Sequence, residues 1–148
     1  MGSSVEKQEA EWYDSFPHRG AIYDQLSIAT SGAVKSDRLG AVVALGKSDD
    51  PRAVRPLMDL LEDPDPEIRI EAVVALGLLK SGRSVEALIG RLQDRGEQAG
   101  IRKQAAAALC SIRSTGAIRG LKEFATDEDE DPAIRDFVAG VISRIVAL

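Results

Sequence analysis

The run Asp63-Pro64-Asp65-Pro66-Glu67-Ile68-Arg69-Ile70-Glu71-Ala72-Val73-Val74-Ala75-Leu76-Gly77 has three partial copies elsewhere in the same chain. Anchored on the arginine, the copies sit at Arg38, Arg69, Arg102 and Arg135, at separations of 31, 33 and 33 residues. Three positions after each arginine stand Ala41, Ala72, Ala105 and Val138. Six after stand Ala44, Ala75, Ala108 and Val141, and seven after Leu45, Leu76, Leu109 and Ile142. The eighth position is small in every copy: Gly46, Gly77, Cys110 and Ser143. Ile68, Ile101 and Ile134 precede three of the arginines, with Asp37 in the first copy. A fixed period of this length marks a repeat architecture, in which each unit buries its apolar face only against its neighbours.

Offsets −1, +3, +6, +7 and +10 lie on one stripe of a 3.6-residue helix, so each copy contains an amphipathic helix of about three to four turns, here called B. Alanine at two stripe positions lets such helices approach toward the short end of the roughly 8–10 Å packing range. The leucine or isoleucine at +7 supplies bulk worth about 1.5–3 kcal/mol when fully buried. A shorter apolar pattern precedes each arginine: Val54, Leu57, Leu60 and Leu61; Val85, Leu88, Ile89 and Leu92; Ile118, Leu121 and Phe124; and, more weakly, Ile22 and Leu26. These are the A helices. Asp63-Pro64-Asp65-Pro66 and Asp129-Glu130-Asp131-Pro132 break A from B, with Pro66 and Pro132 suited to a first helical turn and the acids to its positive end. Asp49-Asp50-Pro51, Ser81-Gly82 and Ser114-Thr115-Gly116 mark the turns between copies. The expected organisation is an arm over residues 1–20, partly helical or flexible, followed by about four hairpins at 21–48, 49–80, 81–113 and 114–148.

These residues resemble HEAT-like repeats, in the short form also found in phycobilisome lyases and small archaeal solenoid proteins. The resemblance runs over roughly residues 34–148. It implies an all-α solenoid, a right-handed superhelix with the B helices on its concave side. It also implies that the repeated arginine pairs with acids of the inter-helix turns, here Asp65, Asp94 and Asp131. Arg38 has no matching acid cluster upstream, which sets the first copy apart from that ladder. The superfamily hosts scaffolds, adaptors and some enzymes, so the resemblance speaks for fold more than for activity. Its iron-dependent deoxyhypusine hydroxylases carry repeated His-Glu pairs. This sequence has a single histidine, His18, and no such pair, so that activity is not expected.

Composition bounds the function further. The chain has 148 residues, 44% hydrophobic and 29% charged, with a net charge of −5. An acidic balance opposes a general nucleic-acid or anionic-membrane binder, which needs a basic field. No apolar run approaches a membrane span, and the charged first twenty residues lack the apolar middle of a signal peptide, so a cytoplasmic protein is expected. Glu6 stands where N-myristoylation after Met1-Gly2 wants Ser or Thr. Cys110 is the only cysteine and sits at the small-residue position, where packing accounts for it better than a reactive thiol. The charge alternates along the chain: 8 acidic and 4 basic residues in 49–80, 3 and 6 in 81–113, and 7 and 4 in 114–148.

No catalytic residue, metal site or cofactor is expected. Asp127, Asp129 and Asp131 share the spacing of the first EF-hand ligands, but Pro132 replaces the required glycine and Val138 the bidentate glutamate. His18 has no neighbouring ligand or triad partner, and the glycines form no phosphate loop.

The informative positions are +1 and +5 of the B helices, which should face outward: Leu39 and Val43, Ile70 and Val74, Lys103 and Ala107, Asp136 and Gly140. The first two pairs are aliphatic, and an exposed apolar patch on a solenoid points to a protein or peptide ligand. Alternatively the arm, with Trp12, Tyr13 and Phe16, folds back over the patch; both hold if the arm is displaceable. Arg91, Arg95 and Arg102 are candidate contacts for an acidic partner, or else belong to turn-spanning ion pairs. The sequence therefore predicts a non-enzymatic scaffold or adaptor that binds a segment of another protein through Leu39, Val43, Ile70, Val74, Lys103 and Ala107. The alternative is a bilin lyase- or isomerase-like subunit holding a tetrapyrrole, with Arg91, Arg95 and Arg102 gripping its propionates. A monomer is expected; Phe137, Val146 and Leu148 are the residues that would carry self-association.

Overall fold

The computed structural model describes residues 17–146, with side chains described over 21–146. The arm residues Trp12, Tyr13 and Phe16, the His18 side chain and Leu148 lie outside that description. Eight α-helices and no strands make up the described residues: α1 Pro17–Ser31, α2 Lys35–Lys47, α3 Val54–Leu60, α4 Pro66–Leu79, α5 Val85–Gln93, α6 Ala99–Ile112, α7 Thr115–Thr126 and α8 Pro132–Val146. Short 3-10 turns, Pro51–Ala53 and Gly82–Ser84, lead into α3 and α5. None of these helices is long and apolar enough to cross a membrane.

The odd-numbered helices are the A helices and the even-numbered ones the B helices, pairing into four antiparallel hairpins. Each B helix packs on the next, α2 on α4, α4 on α6 and α6 on α8, which makes the chain an α-solenoid. Side chains at the expected punctuation fix the turns. Asp65 caps α4 by accepting from Glu67 N at 2.9 Å, with Pro66 in the first turn. Asp131 accepts from Ala133 N and Ile134 N at 2.9 and 3.1 Å, and Ser114 accepts from Ala117 N at 3.1 Å. Each such cap satisfies a backbone donor that the first helical turn leaves free.

Burial follows offsets −1, +3, +6 and +7 in most copies, while Leu79, Ile112 and Ile145 at +10 are half-buried. Ala41, Leu45, Ile68, Ala72, Ala75, Leu76, Ile101, Ala105, Ala108, Leu109, Ile134, Val138 and Val141 are core residues. So are Val42, Val73 and Ala106 at offset +4, all fully buried although they fall outside the stripe. A B helix in a stack touches its own A helix and also the B helices on either side, so its buried arc is wider than that of a helix packed on one neighbour.

The small residue at +8 is where the B helices come closest. A Cβ added at Gly46 would stand 2.8 Å from both Cα and Cβ of Ala75, and one added at Gly77 would stand 3.0 Å from Ala108 Cβ. Cys110, at the same position, is half-buried. The helices also end alike. Asp49, Lys80 and Arg113, each eleven residues after a repeat arginine, have φ of 54°, 52° and 57°. These non-glycine residues hold the left-handed conformation that reverses the chain into the next A helix.

Candidate functional site: the B-helix face and the arginine rungs

Every repeat arginine except the last ties its own hairpin to the next one. Arg38 donates from Nε to the carbonyl of Ala29 at the end of α1 and from Nη2 to Asp63, in the turn of the second hairpin. Arg69 reaches back to the carbonyls of Asp63 and Pro64 and forward to Glu97, to which it donates from Nε and Nη2 at 2.8 and 2.9 Å. Arg102 donates from Nε to Leu92 O at 2.8 Å and from Nη2 to Glu130 at 2.7 Å, with its guanidinium 5.5 Å from the Phe124 ring centroid.

Two expectations are thereby corrected. The rung acids are Asp63, Glu97 and Glu130, not Asp65, Asp94 and Asp131. The latter are occupied with caps and surface pairs: Asp65 with Glu67 N and Lys35, Asp94 with Gly96 N and Arg91, Asp131 with the start of α8. And the first copy belongs to the ladder, because the acid comes from the turn that follows in space, so Arg38 needs no acid cluster upstream.

Of the three cations offered for an acidic partner, Arg91 and Arg102 are held inside the chain. Arg102 is buried, its side chain and that of Glu130 each 5% exposed, so it is not a surface contact. Arg91 is half-buried among Glu97, Glu62 and Asp94 at 3.1, 3.2 and 3.3 Å. Only Arg95 is exposed, with Glu130 at 3.6 Å. A polar recess of about 250 Å³ lies between the second and third hairpins, lined by Glu62, Asp63, Asp94 and Glu97 against only Arg69 and Arg91. Its excess of acid does not suit an anionic ligand. Burial works to raise the Glu97 carboxyl, but hydrogen bonds from Arg69, from the Gln98 backbone N–H and from Arg91 outweigh it and hold the group below the ordinary glutamate value. Among the described residues no group of three or more His, Cys, Asp or Glu is arranged to hold a metal ion.

The outward positions divide by offset. At +5, Val43 and Val74 are exposed, at 37% and 36%. At +1, Leu39 and Ile70 are half-buried and pack against the core, because this offset turns toward the inter-hairpin contact; as freely exposed patch residues they are corrected to core margin. Lys103 is half-buried with Nζ 5.7 Å from the Phe137 ring centroid, and Ala107 is half-buried. Val74 and Ala107 do come together, in a shallow groove of about 140 Å³ between α4 and α6 that they share with Gly77, Leu78, Gln104, Ala108 and Ser111. Leu78, 54% exposed, was absent from the expected set. It stands one turn beyond Val74, at +9, so extending the +5 position by four residues would have found it. A second cleft, of about 290 Å³, opens between α1 and α2 and is lined by Ala21, Ile22, Gln25, Ala44, Leu45, Ser48 and Asp50.

Stacked hairpins joined by arginine-carboxylate rungs define an α-solenoid, and the comparisons say of which kind. A family model of HEAT repeats matches residues 25–100, and the chain belongs to the HEAT-repeat family. The chain is also similar in structure to human deoxyhypusine hydroxylase in complex with glycerol, with a TM-score of 0.77 and 18% identity. That likeness covers 91% of this chain and 46% of the hydroxylase, so the chain spans about half the length of that protein, and it speaks for the fold alone. No curated protein matches the sequence.

Proposed function

We propose that the protein is a non-enzymatic scaffold or adaptor whose B-helix face binds a segment of another protein. The observation that carries this reading is the groove in which exposed Val74 and Leu78 meet half-buried Ala107, beside the neutral polar residues Gln104 and Ser111. Such a patch gains by being covered, at about 25 cal/mol per Å² of apolar area removed from water. Stacked B helices supply a face that needs little reordering on binding, which limits the entropy lost in association. Val43 continues the same line of +5 positions onto the first hairpin, and Lys103 over Phe137 sets its more polar limit. The half-buried Leu39 and Ile70 hold that line in shape from beneath. The partner is accordingly an amphipathic or extended segment with two or three aliphatic anchors.

The test is affinity capture from native lysate, followed by calorimetric titration of the captured protein in pure form, with wild type, Val74→Glu and Leu78→Glu. Arg119→Glu, at an exposed position on α7, is the control. Loss of affinity in the two groove variants, with circular dichroism unchanged and the control unaffected, supports the reading. Equal affinity in all four proteins sinks it.

A further inference from the structure

The two long edges of the stack carry opposite charge. Around the turns from A to B, residues 61–65, 94–98 and 127–131 hold 10 acids and a single base, Arg95. Around the turns from B to A the balance reverses: residues 47–53, 80–84 and 113–114 hold 5 bases and 2 acids. Helix dipoles do not account for the split, because each edge combines the amino end of one helix with the carboxyl end of the next. The acidic edge is engaged within the chain, Asp63, Glu97 and Glu130 in the rungs and Asp65 and Asp131 in caps. On the basic edge Arg52 pairs with Asp50 at 2.6 Å. Lys47, Lys80, Arg83 and Arg113 are exposed there and, among the described residues, make no ion pair.

Three of these cations border the groove between α4 and α6 or continue its line. Lys80 and Arg113 come two residues after Leu78 and Ser111, which line the groove, and Lys47 stands on α2 at their offset, +9. Resting on the groove reading above, we propose that the partner segment is acidic: an extended chain laid across α2, α4 and α6, with aliphatic anchors in the groove and carboxylates toward Lys47, Lys80 and Arg113. The dimensions agree. Neighbouring B helices lie roughly 8–10 Å apart, and a polyproline-II chain advances about 9 Å in the three residues of one turn. Acids at every third position therefore stay on one side and meet successive cations. The net charge of −5 does not oppose this, because most of the acid lies at the far ends of the B helices. With 14 residues α4 is about 21 Å long, well beyond the Debye length of about 8 Å at physiological salt.

The probe is a display library of random dodecapeptides, selected on wild type with counter-selection on Val74→Glu; enriched peptides are then labelled for fluorescence anisotropy. Expected are aliphatic peptides rich in Asp and Glu, whose affinity falls as salt is raised. The triple variant Lys47→Gln, Lys80→Gln, Arg113→Gln should weaken them roughly tenfold, as the loss of three exposed ion pairs implies. A matched triple, Arg55→Gln, Arg119→Gln, Lys122→Gln, removes the same charge from α3 and α7 and should change affinity little. All six positions are exposed, so both triples should keep the wild-type circular dichroism. Enriched peptides with neutral or basic flanks, lost on Val74→Glu, would overturn the acidic partner and leave the groove reading standing. Equal weakening in the two triples would show that only total charge acts, and would overturn the proposal in the same way. If no enriched peptide distinguishes wild type from Val74→Glu, the groove reading and this inference fall together.

Discussion

Arg102 and Glu130, 28 residues apart, form a buried ion pair at 2.7 Å that joins the third hairpin to the fourth. Neither side chain has solvent to fall back on. Removing Glu130 leaves Arg102 buried without a carboxylate, which costs about 3–5 kcal/mol, whereas removing Arg102 leaves Glu130 the exposed Arg95 at 3.6 Å. We expect Glu130→Ala to destabilise by that amount, a large share of the ~5–15 kcal/mol typical of a domain, and Arg102→Ala by somewhat less. The double variant Arg102→Met with Glu130→Leu should lose far less, since packed apolar groups replace both charges. Urea denaturation of wild type, Arg102→Met, Glu130→Leu and the double variant as a double-mutant cycle measures the coupling, and additive losses would show that the pair is not a unit.

The two close helix contacts should not tolerate a methyl group equally. Gly46→Ala drives its Cβ to 2.8 Å from the Ala75 backbone, so the helices must part, at about 1–3 kcal/mol. Gly77→Ala meets Ala108 at 3.0–3.1 Å and should cost less. Thermal midpoints of the two variants decide the order.

Glu97 sets a dependence on acid. Its carboxyl is held below the ordinary glutamate value in the folded chain, so the stability it contributes is present above about pH 4.3 and is lost as pH falls through the folded value. Asp50, held low by hydrogen bonds from Arg52, and Asp65, held low by hydrogen bonds from Lys35 and the Glu67 backbone, act in the same direction. Stability should therefore fall on acidification. Glu97→Gln should weaken the neutral protein and flatten that acid limb, as denaturation at pH 7 and at successively lower pH would record. An unchanged acid limb would remove Glu97 from the account.

Lys80 ends α4 in the left-handed region, with φ 52° and ψ 34°. Relief of Cβ crowding predicts that Lys80→Gly is stabilising by up to ~1 kcal/mol, whereas β-branched Lys80→Val is destabilising. The difference in urea midpoint between the two variants is the measurement.

The hairpins were legible in the sequence because close packing demands the same small and branched residues at the same offsets in every copy. Leu45, Leu76 and Leu109 could occupy no other face. The rungs were less legible for a geometric reason. Linear proximity favours Asp65, Asp94 and Asp131, but capping claims acids of that kind first, and the acids that meet the arginines come from the next turn in space. Val42, Val73 and Ala106 escaped for a related cause: they are buried by a neighbouring hairpin, which one helix's periodicity does not describe. Of the groove, Val74 and Ala107 could be read from their offset. Leu39 and Ile70 could not be told from surface residues, since one helical step separates the exposed edge of a B helix from the contact beneath it.

The rungs also bear on how the chain acquires its shape. They join residues only 25 to 28 apart, and each reaches only the adjacent hairpin. No step of assembly therefore has to bring distant parts of the chain together, and contact order stays low. Folding belongs in the rapid helical class, roughly microseconds to milliseconds, nucleating in one hairpin and spreading to its neighbours. Amide hydrogens should then exchange slowest in α4 and α6, which have B helices on both sides, and faster in α2 and α8, each flanked by one.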